Sequence, residues 1–276
     1  HFMLFNKIYW NPSEGIDLGF FVIHYYSLMF VVAFTLGWYL MKSIYEREGV
    51  PLEKLDSLFI YTVLATLIGA RLGHVIFYDW DYFQDHLLEI FLPVRFEPEF
   101  EFTGFRGLAS HGAAIGIIIA MYFYCKNVLH KPVLWVLDRI VIPVAAGGIF
   151  VRIGNFMNSE IIGKPTNSDF GVVFTKLGED FARHPAQLYE SACYLVVFVI
   201  LWLTYWKTLK REKLGYIFGL FLVLLWTVRF FVEFVKEPQV GERVNWVLNT
   251  GQWLSVPFIL AGFYFMYRPS TKDRVK

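Results

Sequence analysis

Long apolar runs dominate this 276-residue chain and constrain its fold more than any other feature of the sequence. Stretches of about 20 nearly uncharged residues recur along it, and a helix of that length crosses the hydrocarbon core of a bilayer. Hydrophobic residues make up 56% of the chain, above the roughly 45–50% that is typical of soluble domains. The sequence therefore predicts an all-α polytopic membrane protein with about seven transmembrane helices. These helices are predicted at residues 20–41, 57–78, 107–125, 133–151, 187–206, 216–236 and 251–267.

The basic residues between these runs predict how the helices are oriented. One alternating set of loops, which includes Lys207, Lys210, Arg211 and Lys213, carries an excess of Lys and Arg over acidic residues. In the other set, acidic residues outnumber basic ones. Because cytoplasmic loops of membrane proteins are enriched in basic residues, we expect the N-terminus outside the membrane and the C-terminus in the cytoplasm.

Two longer connections hold many of the polar residues of the chain. Residues 79–106 are acidic and aromatic, and residues 152–186 are rich in polar and charged side chains. With the N-terminus outside, both connections fall on the outer side of the membrane and are long enough to fold over it. We therefore expect a single integral membrane domain, residues 1–276, in which these two segments form a polar cap over a cavity.

The second of these connections begins with an unusually polar stretch at the end of an apolar run. Residues 152–163 read R-I-G-N-F-M-N-S-E-I-I-G and include Arg152, Asn155, Asn158 and Glu160. A guanidinium, two amides and a carboxylate in so short a stretch form either a structural salt bridge at the interface or a binding site. The positions of the other polar residues favour the binding site.

Polar side chains within the apolar runs are predicted to gather near the same membrane face. A charge in hydrocarbon costs roughly 2.5–3.5 kcal/mol even on a lenient scale, so such a cluster predicts a polar cavity with a function. Arg152 and Arg229 belong to different helices, and two planar guanidiniums match the oxygens of a phosphodiester. A cavity that is apolar below and cationic above has the shape that a phospholipid fits. The gathered residues are Tyr26, Arg71, His74, His111, Arg152, His184, Gln187, Tyr189, Glu190, Arg229 and Glu233.

Several of these residues also have a purely structural interpretation. Arg229 and Glu233 stand four residues apart on one helical face and can pair, and such a pair alone can lock a helix or orient Arg229. His111 lies among small residues and is either a core histidine or a functional group. His184 is either a helix cap or a ligand.

Other sequence features exclude several kinds of site. Asp138 and Arg139 fall toward the opposite end of their helix, and we interpret them as structural. Cys125 and Cys193 lie in apolar runs, where cysteine usually acts as a small buried side chain. The sequence has no H-E-x-x-H, no close Cys/His spacing, no G-x-S-x-G and no P-loop. We therefore expect neither a metal site nor a cofactor.

Several sequence blocks occur in an order that characterises one family. Besides residues 152–163, they are H-Y-Y-S-L-M-F at 24–30, R-L-G-H-V-I-F-Y-D at 71–79, S-H-G at 110–112, R-H-P-A-Q-L-Y-E at 183–190, V-R-F-F-V-E-F at 228–234 and G-Q-W-L-S at 251–255. Together they resemble the bacterial prolipoprotein diacylglyceryl transferases over most of the chain. Independent blocks in register make this resemblance specific, whereas one block alone would not.

The resemblance implies a multi-pass enzyme of the bacterial cytoplasmic (inner) membrane, with its active site toward the periplasmic leaflet. Such an enzyme moves the diacylglyceryl group of phosphatidylglycerol to the lipobox cysteine thiol of a prolipoprotein signal peptide. The products are a thioether and glycerol 1-phosphate. Phosphatidylglycerol, the signal peptide and the bilayer are then the expected partners, without nucleic acid. The resemblance also implies that the two arginines bind the lipid headgroup and marks as important Tyr26, His111, Arg152, Asn155, Glu160, Arg229 and Glu233.

The chemistry of this reaction suggests a role for each residue. The leaving group is an anionic phosphate ester, so Arg152 and Arg229 are predicted to clamp and stabilise it. The substrate supplies the attacking thiol, which must lose a proton, and His111 is the predicted general base. An arginine-polarised thiolate, with His111 only positioning the lipid, is the alternative. The predicted substrate-binding residues are Tyr26, Asn155, Asn158, Glu160, Glu233, Arg71 and His184.

Two other activities fit a cationic cavity. A lipid or anion transporter would use the same charges but needs access from both faces. A headgroup hydrolase would need a metal or a water-activating nucleophile, and the sequence shows neither.

Overall fold

The computed structural model describes residues 7–96, 98–102, 109–238 and 247–269, without the side chains of Phe102, Ser110 and His111. Helices make up most of this part of the chain. They are α1 (Tyr25–Arg47), α2 (Leu52–Tyr78), the short α3 (Trp80–Phe83), α4 (Ser110–Tyr124), α5 (Val133–Met157), α6 (Ala186–Lys207), α7 (Tyr216–Val232) and α8 (Thr250–Tyr267). A π-helical turn, Cys125–Leu129, continues α4, and His130 ends it in the left-handed conformation.

The helices confirm a mostly helical, multi-pass membrane architecture. Within the described residues, five segments are long and apolar enough to cross a membrane: α1, α2, Gly112–Leu129, α5 and α6. Helix α7 is apolar but spans only 17 residues. Each of the seven predicted helices overlaps one of the long helices, and the last of these is α8.

Several helix boundaries differ from the prediction, and three of the differences have a local reason. Helix α1 begins at Tyr25 because Val22–His24 is a strand that pairs with Gly15–Asp17. Helix α5 continues past the predicted end at residue 151 to Met157, so Arg152 lies within the helix. Helix α7 ends at Val232, and the chain turns there to form backbone bonds with the segment around Gly163.

Short strands are the only sheet structure in the described ranges. They are β1 (Ile8–Trp10), β2 (Gly15–Asp17), β3 (Val22–His24), β4 (Val94–Arg95), β5 (Glu101–Phe102) and β6 (Val172–Phe174). Strands β2 and β3 pair antiparallel, as do β4 and β5, whereas β1 pairs with β6 in parallel. These two-stranded pairs order the segments outside the long helices.

The chain divides into two compact units. Unit 1 comprises the residues up to Met41 and those from Leu137 onward, and unit 2 comprises Lys42–Val136. In unit 2, α2 packs against α4 through glycines: a Cβ on Gly73 would lie 2.7 Å from the Gly112 Cα. Only residues without a side chain allow backbones to approach this closely, a common device between membrane helices.

A buried polar cluster in unit 2 holds the segment after α3 against α2. The Arg71 guanidinium donates to the backbone carbonyls of Ile90, at 2.7 Å, and Glu89, at 2.9 Å. The Glu89 carboxylate accepts from the Tyr82 hydroxyl at 2.5 Å and from the Phe96 N–H at 2.8 Å. Each of these hydrogen bonds joins residues that the sequence separates, so the cluster fixes the path of the segment.

In unit 1, Asp138 confirms its predicted structural role by capping another helix. It is fully buried, and its carboxylate accepts from the backbone N–H groups of Gly215, at 2.7 Å, and Phe218, at 2.9 Å. These are N–H groups at the start of α7 that have no partner within the helix. Further along, α7 meets α8 at a glycine pair, because a Cβ on Gly219 would lie 2.5 Å from the Gly262 carbonyl oxygen.

Candidate active site

Arg152 lies in the penultimate turn of α5 and makes two contacts in unit 1. Its Nε lies 2.5 Å from Glu190 Oε2 on α6, and its Nη1 donates to Asn155 Oδ1 at 3.1 Å. Asn155 is one turn further along α5, so the helix itself sets this second contact. Together they fix the guanidinium from two sides.

Glu190 and Glu233 are linked through Lys236, which follows the end of α7. The Lys236 Nζ lies 3.9 Å from Glu190 Oε1 and 3.7 Å from Glu233 Oε2. Glu190 is almost completely buried, and its Oε2 lies in the close ion pair with Arg152 Nε. Ion pairs therefore connect Arg152 to Glu190, Glu190 to Lys236 and Lys236 to Glu233, so that cations and carboxylates alternate.

Arg229 on α7 is held by an aromatic stack. Its guanidinium lies 4.9 Å from the centre of the Trp226 ring, and that ring stacks on Phe258 of α8 at 4.3 Å. Arg229 and Arg152 both act electrostatically on the Lys236 ammonium and on the Tyr194 hydroxyl. Both arginines therefore lie within electrostatic range of the same two side chains.

Arg229 and Glu233, which could pair on one helical face, do not do so among the described residues. Glu233 forms its ion pair with Lys236, and the described residues contain no Arg229–Glu233 pair within 4.0 Å. The physical reason is the end of α7 at Val232: Glu233 stands in the turn that follows, and Lys236 is in reach three residues on. Arg229 thereby keeps its guanidinium free of a carboxylate partner among the described residues.

The polar stretch after Arg152 forms a network around Glu160. The Glu160 carboxylate accepts from Asn155 Nδ2 and from Asn158 Nδ2, each at 3.4 Å. Its backbone carbonyl accepts from Gln187 Nε2 on α6 at 2.6 Å. Tyr26 joins the network through the Asn155 side chain and through the charges of Arg152 and Glu160. Five of the residues named from the sequence thus lie in one network: Tyr26, Arg152, Asn155, Asn158 and Glu160.

Backbone strain and close packing shape this stretch. Ser159 and Ile161 adopt positive φ angles of 56° and 55°, which is unusual for non-glycine residues and most unusual for a β-branched one. Strain of this kind concentrates at functional sites. Gly154 is required for another reason, since a Cβ there would lie 2.8 Å from Tyr26 Cδ2. The glycine lets the Tyr26 ring lie directly against α5.

Backbone hydrogen bonds tie the end of this stretch to Lys236. Lys164 N donates to Val235 O at 2.7 Å, and Glu237 N donates to Ile162 O at 3.0 Å, so both neighbours of Lys236 are fixed. Arg183 reinforces the junction through Glu179, at 2.6 Å, and Glu237, at 3.0 Å. The hydrogen bond with Glu179 outweighs burial and raises the pKa of Arg183 above its ordinary value.

A cavity of about 420 Å³ lies beside this junction. Its lining includes Lys164, Glu233, Phe234 and Gln252, together with residues 247–250 and 253–254. Arg152 and Arg229 do not line it. Glu233 is therefore the residue that the cavity and the charged group share.

Comparison with known proteins identifies the family. A family model described as prolipoprotein diacylglyceryl transferase matches residues 14–268. The chain belongs to the prolipoprotein diacylglyceryl transferase family. It is 42% identical over 270 residues to a phosphatidylglycerol–prolipoprotein diacylglyceryl transferase of Tolumonas auensis, which covers 98% of this chain and 100% of the relative. Relatives with the same name from Bacteroides fragilis and Chloroherpeton thalassium are 40% and 37% identical, over 98% and 95% of this chain and 98% and 94% of their own.

Membership of the prolipoprotein diacylglyceryl transferase family confirms the resemblance found in the sequence, and it does not favour the transporter alternative.

Three predicted residues lie outside the network of unit 1. Arg71 belongs to unit 2, where its guanidinium binds backbone carbonyls. His74, also in unit 2, pairs with Asp79 at 2.7 Å. His111 lies in the first turn of α4, and its side chain falls outside the described residues.

The structure also places His184 and reveals two residues that were not predicted as site residues. His184 Nδ1 lies 3.1 Å from the Tyr189 hydroxyl, and its backbone carbonyl accepts from Gly163 N. The two residues are Glu190 and Lys236, which link Arg152 to Glu233 through ion pairs. Glu190 stands in one of the blocks shared with the transferase family, so its signal was available. Lys236 falls at the last position of the predicted helix 216–236 and outside the sequence blocks shared with the family.

Proposed function

We propose that this protein transfers the diacylglyceryl group of phosphatidylglycerol to the lipobox cysteine of prolipoprotein signal peptides. The thiol sulfur forms a thioether with the glyceryl carbon, and glycerol 1-phosphate leaves. The names of the full-length relatives support this activity. The observation that carries it is that, within the part of the chain that matches the family, Glu190 and Asn155 hold the Arg152 guanidinium and the Trp226 ring holds that of Arg229.

In this proposal the two arginines bind the phosphate and stabilise its departure. Guanidiniums present planar pairs of donors that match phosphate oxygens. Glu190 and Asn155 hold Arg152, and the Trp226 ring holds Arg229, so both charges are fixed before the lipid arrives. Fixed donors need no reorganisation during the reaction, which is why such groups contribute strongly to catalysis.

The network around Glu160 positions the substrate in the same proposal. Asn155, Asn158 and Glu160 present amides and a carboxylate beside Arg152, and the Tyr26 hydroxyl completes the group. Such groups suit the hydroxyls of a glycerol headgroup, which both donate and accept hydrogen bonds. Glu233 contributes through the cavity that it lines.

Three further assignments complete the proposal. His111 is the general base that removes the thiol proton. For His184, the contact with Tyr189 favours holding the start of α6 over binding substrate. For Arg71, the bonds to two backbone carbonyls favour holding the segment after α3. Neither of these two is then required to touch the lipid.

We further propose seven membrane-crossing helices in the bacterial inner membrane, with the active site toward the periplasm. The excess of basic residues in one set of loops supports a cytoplasmic C-terminus. Segments 79–106 and 152–186 then cover the site from the periplasmic side. Single cysteines at Lys176 and Lys210 test this in intact cells: a membrane-impermeant maleimide should label the first and not the second. Labelling of position 210 alone would show that the protein has the opposite orientation in the membrane.

The activity itself is tested with purified protein, phosphatidylglycerol and a lipobox peptide. The expected product is the peptide whose mass has increased by one diacylglyceryl group in thioether linkage, together with one equivalent of glycerol 1-phosphate. His111→Ala and Arg229→Ala should abolish most of this product. Lipid hydrolysis without peptide modification would support a hydrolase, and flux of lipid or anion across proteoliposomes without modification would support a transporter.

A further inference from the structure

Lys236 is a buried lysine whose carboxylate partners lie at long range. The residue is only 6% exposed, and its Nζ forms ion pairs with the carboxylates of Glu190 and Glu233. Its nearest carboxylate oxygens, on Glu233 and Glu190, lie at 3.7 and 3.9 Å, beyond hydrogen-bond distance. An ammonium has three donors, and leaving them unmade in a buried position is costly. The arrangement calls for an acceptor.

The charges around Lys236 add up to an excess of positive charge. Two carboxylates, Glu190 and Glu233, and two guanidiniums, Arg152 and Arg229, act on the Lys236 ammonium. Counted with the lysine, the groups that act on it are three cations and two anions. The nearby guanidiniums disfavour the charged form of Lys236, and an anion that joins the group would favour it. One phosphodiester carries the charge that would balance the group.

The position of Lys236 is built into the fold. Its two neighbours, Val235 and Glu237, are each bound by their backbones to the segment 162–164. Arg183 anchors the same junction through Glu237. A lysine that only shielded apolar surface would not need its backbone fixed on both sides. The clamp keeps the ammonium beside the polar stretch that begins at Arg152.

The lowered pKa of Lys236 is consistent with a site that binds an anion. Burial is the largest effect and lowers the pKa of Lys236, and the two arginines lower it further. Glu190 and Glu233 act in the opposite direction but do not restore it. A bound phosphate would favour the charged ammonium and so return the pKa toward its ordinary range.

We infer that Lys236 is a third cation of the lipid headgroup site, where it binds the phosphate together with Arg152 and Arg229 and stabilises the departing glycerol phosphate. This inference rests on the proposed transferase function. In that reaction the sulfur–carbon bond forms while the carbon–oxygen bond to the phosphate breaks, and the electron pair stays on the phosphate oxygen. The thiol proton passes to the base. The phosphate therefore goes from one negative charge to two.

This change of charge predicts when Lys236 matters most. A third cation interacts more strongly with the doubly charged leaving group than with the singly charged lipid. Interactions that strengthen on the way to the transition state raise kcat, whereas those equal in both states only lower KM. Lys236 is therefore expected to affect kcat and product binding more than the KM for phosphatidylglycerol.

The test compares Lys236→Met and Lys236→Gln, which remove the charge, with Lys236→Arg, which keeps it. Lys176→Met is the matched control, because Lys176 is an exposed lysine of the same polar segment that pairs with Glu14. Both neutral variants should lower kcat for thioether formation and weaken inhibition by glycerol 1-phosphate by roughly 10- to 100-fold, the size of one charged hydrogen bond. Lys236→Arg should recover most of this loss, and Lys176→Met should behave like the unmodified protein.

A second measurement separates headgroup binding from a merely structural role. Binding of glycerol 1-phosphate is compared with binding of glycerophosphoglycerol, a diester with one charge, from the shift in unfolding temperature without peptide. Lys236→Gln should weaken binding of the doubly charged ligand more than that of the diester. A change in packing alone would weaken both equally, and equal weakening in either neutral variant overturns the inference.

The outcomes also separate this inference from the proposed function. If the unmodified protein forms thioether and a folded neutral variant keeps its kcat and product inhibition within about twofold, Lys236 is not a headgroup cation and the transferase proposal stands. If the unmodified protein forms no thioether but binds glycerol 1-phosphate in a Lys236-dependent way, the transferase proposal fails and the cation site stands.

Discussion

Two buried polar clusters in this protein contain the same types of residue and differ in how completely they are satisfied. In unit 2, both carboxylate oxygens of Glu89 accept short hydrogen bonds, and Arg71 donates to two backbone carbonyls. In unit 1, Glu190 Oε2 forms a close ion pair with Arg152, whereas Lys236 has only long ion pairs, with Glu190 and Glu233. Short hydrogen bonds hold the first cluster together, whereas the contacts of Lys236 in the second cluster are long.

The difference teaches how to distinguish structural from functional charges inside a membrane protein. A buried charge is expensive in either case, so burial alone does not reveal a function. Full satisfaction by backbone groups indicates that the charge holds the fold, as at Arg71. A buried charge whose opposite charges lie beyond hydrogen-bond distance indicates room for a further ligand of the opposite sign, as at Lys236.

The largest expected effect is the loss of Arg229 from the incomplete cluster. Arg229→Ala should lower transfer by roughly 10²- to 10³-fold, as removal of a fixed donor to a developing anion does elsewhere. Arg229→Lys should recover only part, because an ammonium lacks the planar fork. Unfolding temperature should change little, since Arg229 contacts mainly the Trp226 ring. A loss of stability as large as the loss of activity would show that the residue is structural, like Arg71.

The complete cluster should respond in the opposite way. Glu89→Ala leaves the Tyr82 hydroxyl and the Phe96 N–H without their acceptor and should destabilise the protein by roughly 1–3 kcal/mol for each orphaned buried donor. Chemical unfolding in detergent, followed by circular dichroism, measures this. Glu89→Gln keeps one acceptor oxygen and is the matched control, with a smaller expected loss. An unchanged unfolding midpoint for Glu89→Ala would refute the structural role.

A smaller effect is expected where packing supports the incomplete cluster. Gly154→Ala would place a Cβ 2.8 Å from the Tyr26 ring, so the ring must move away from Asn155. Overpacking of this kind usually costs about 1–3 kcal/mol. We expect reduced transfer and a modest loss of stability. Gly37→Ala is the control, since its Cβ would meet Pro143 Cβ at an ordinary 3.4 Å. Equal activity of the two variants would remove Tyr26 from the site.

The smallest expected effect is a pH dependence that belongs to the complete cluster. Burial acts to raise the pKa of Glu89, but the hydrogen bonds from the Tyr82 hydroxyl and the Phe96 N–H outweigh it and hold the pKa below its ordinary value. The ionised form therefore adds stability that is fully present above the ordinary carboxyl pKa and is lost as pH falls through the lower folded value. Hydrogen exchange in residues 87–96 should accelerate in that acidic window, and Glu89→Gln should not show the acceleration.

Much of the fold and part of the site followed from the sequence. The apolar runs predicted every long helix, because hydropathy is a property of contiguous residues. Residues 152–163 also identified the site locally, since Arg152, Asn155 and Asn158 lie within two turns of one chain segment. The end of α5 was placed too early because polar residues were taken to stop the helix, whereas Gly154 continues it with Tyr26 packed against it.

The sequence by itself determined the family, the membrane helices and the two arginines. Only the tertiary structure decided which partner each charge meets: Glu190 for Arg152, Lys236 for Glu233, and an aromatic ring for Arg229. The physical reason is that hydrogen bonds and ion pairs depend on atomic distances between segments far apart in the chain. Hydropathy and motif spacing are local, so they show which polar residues enter the membrane but not which of them remain unsatisfied there.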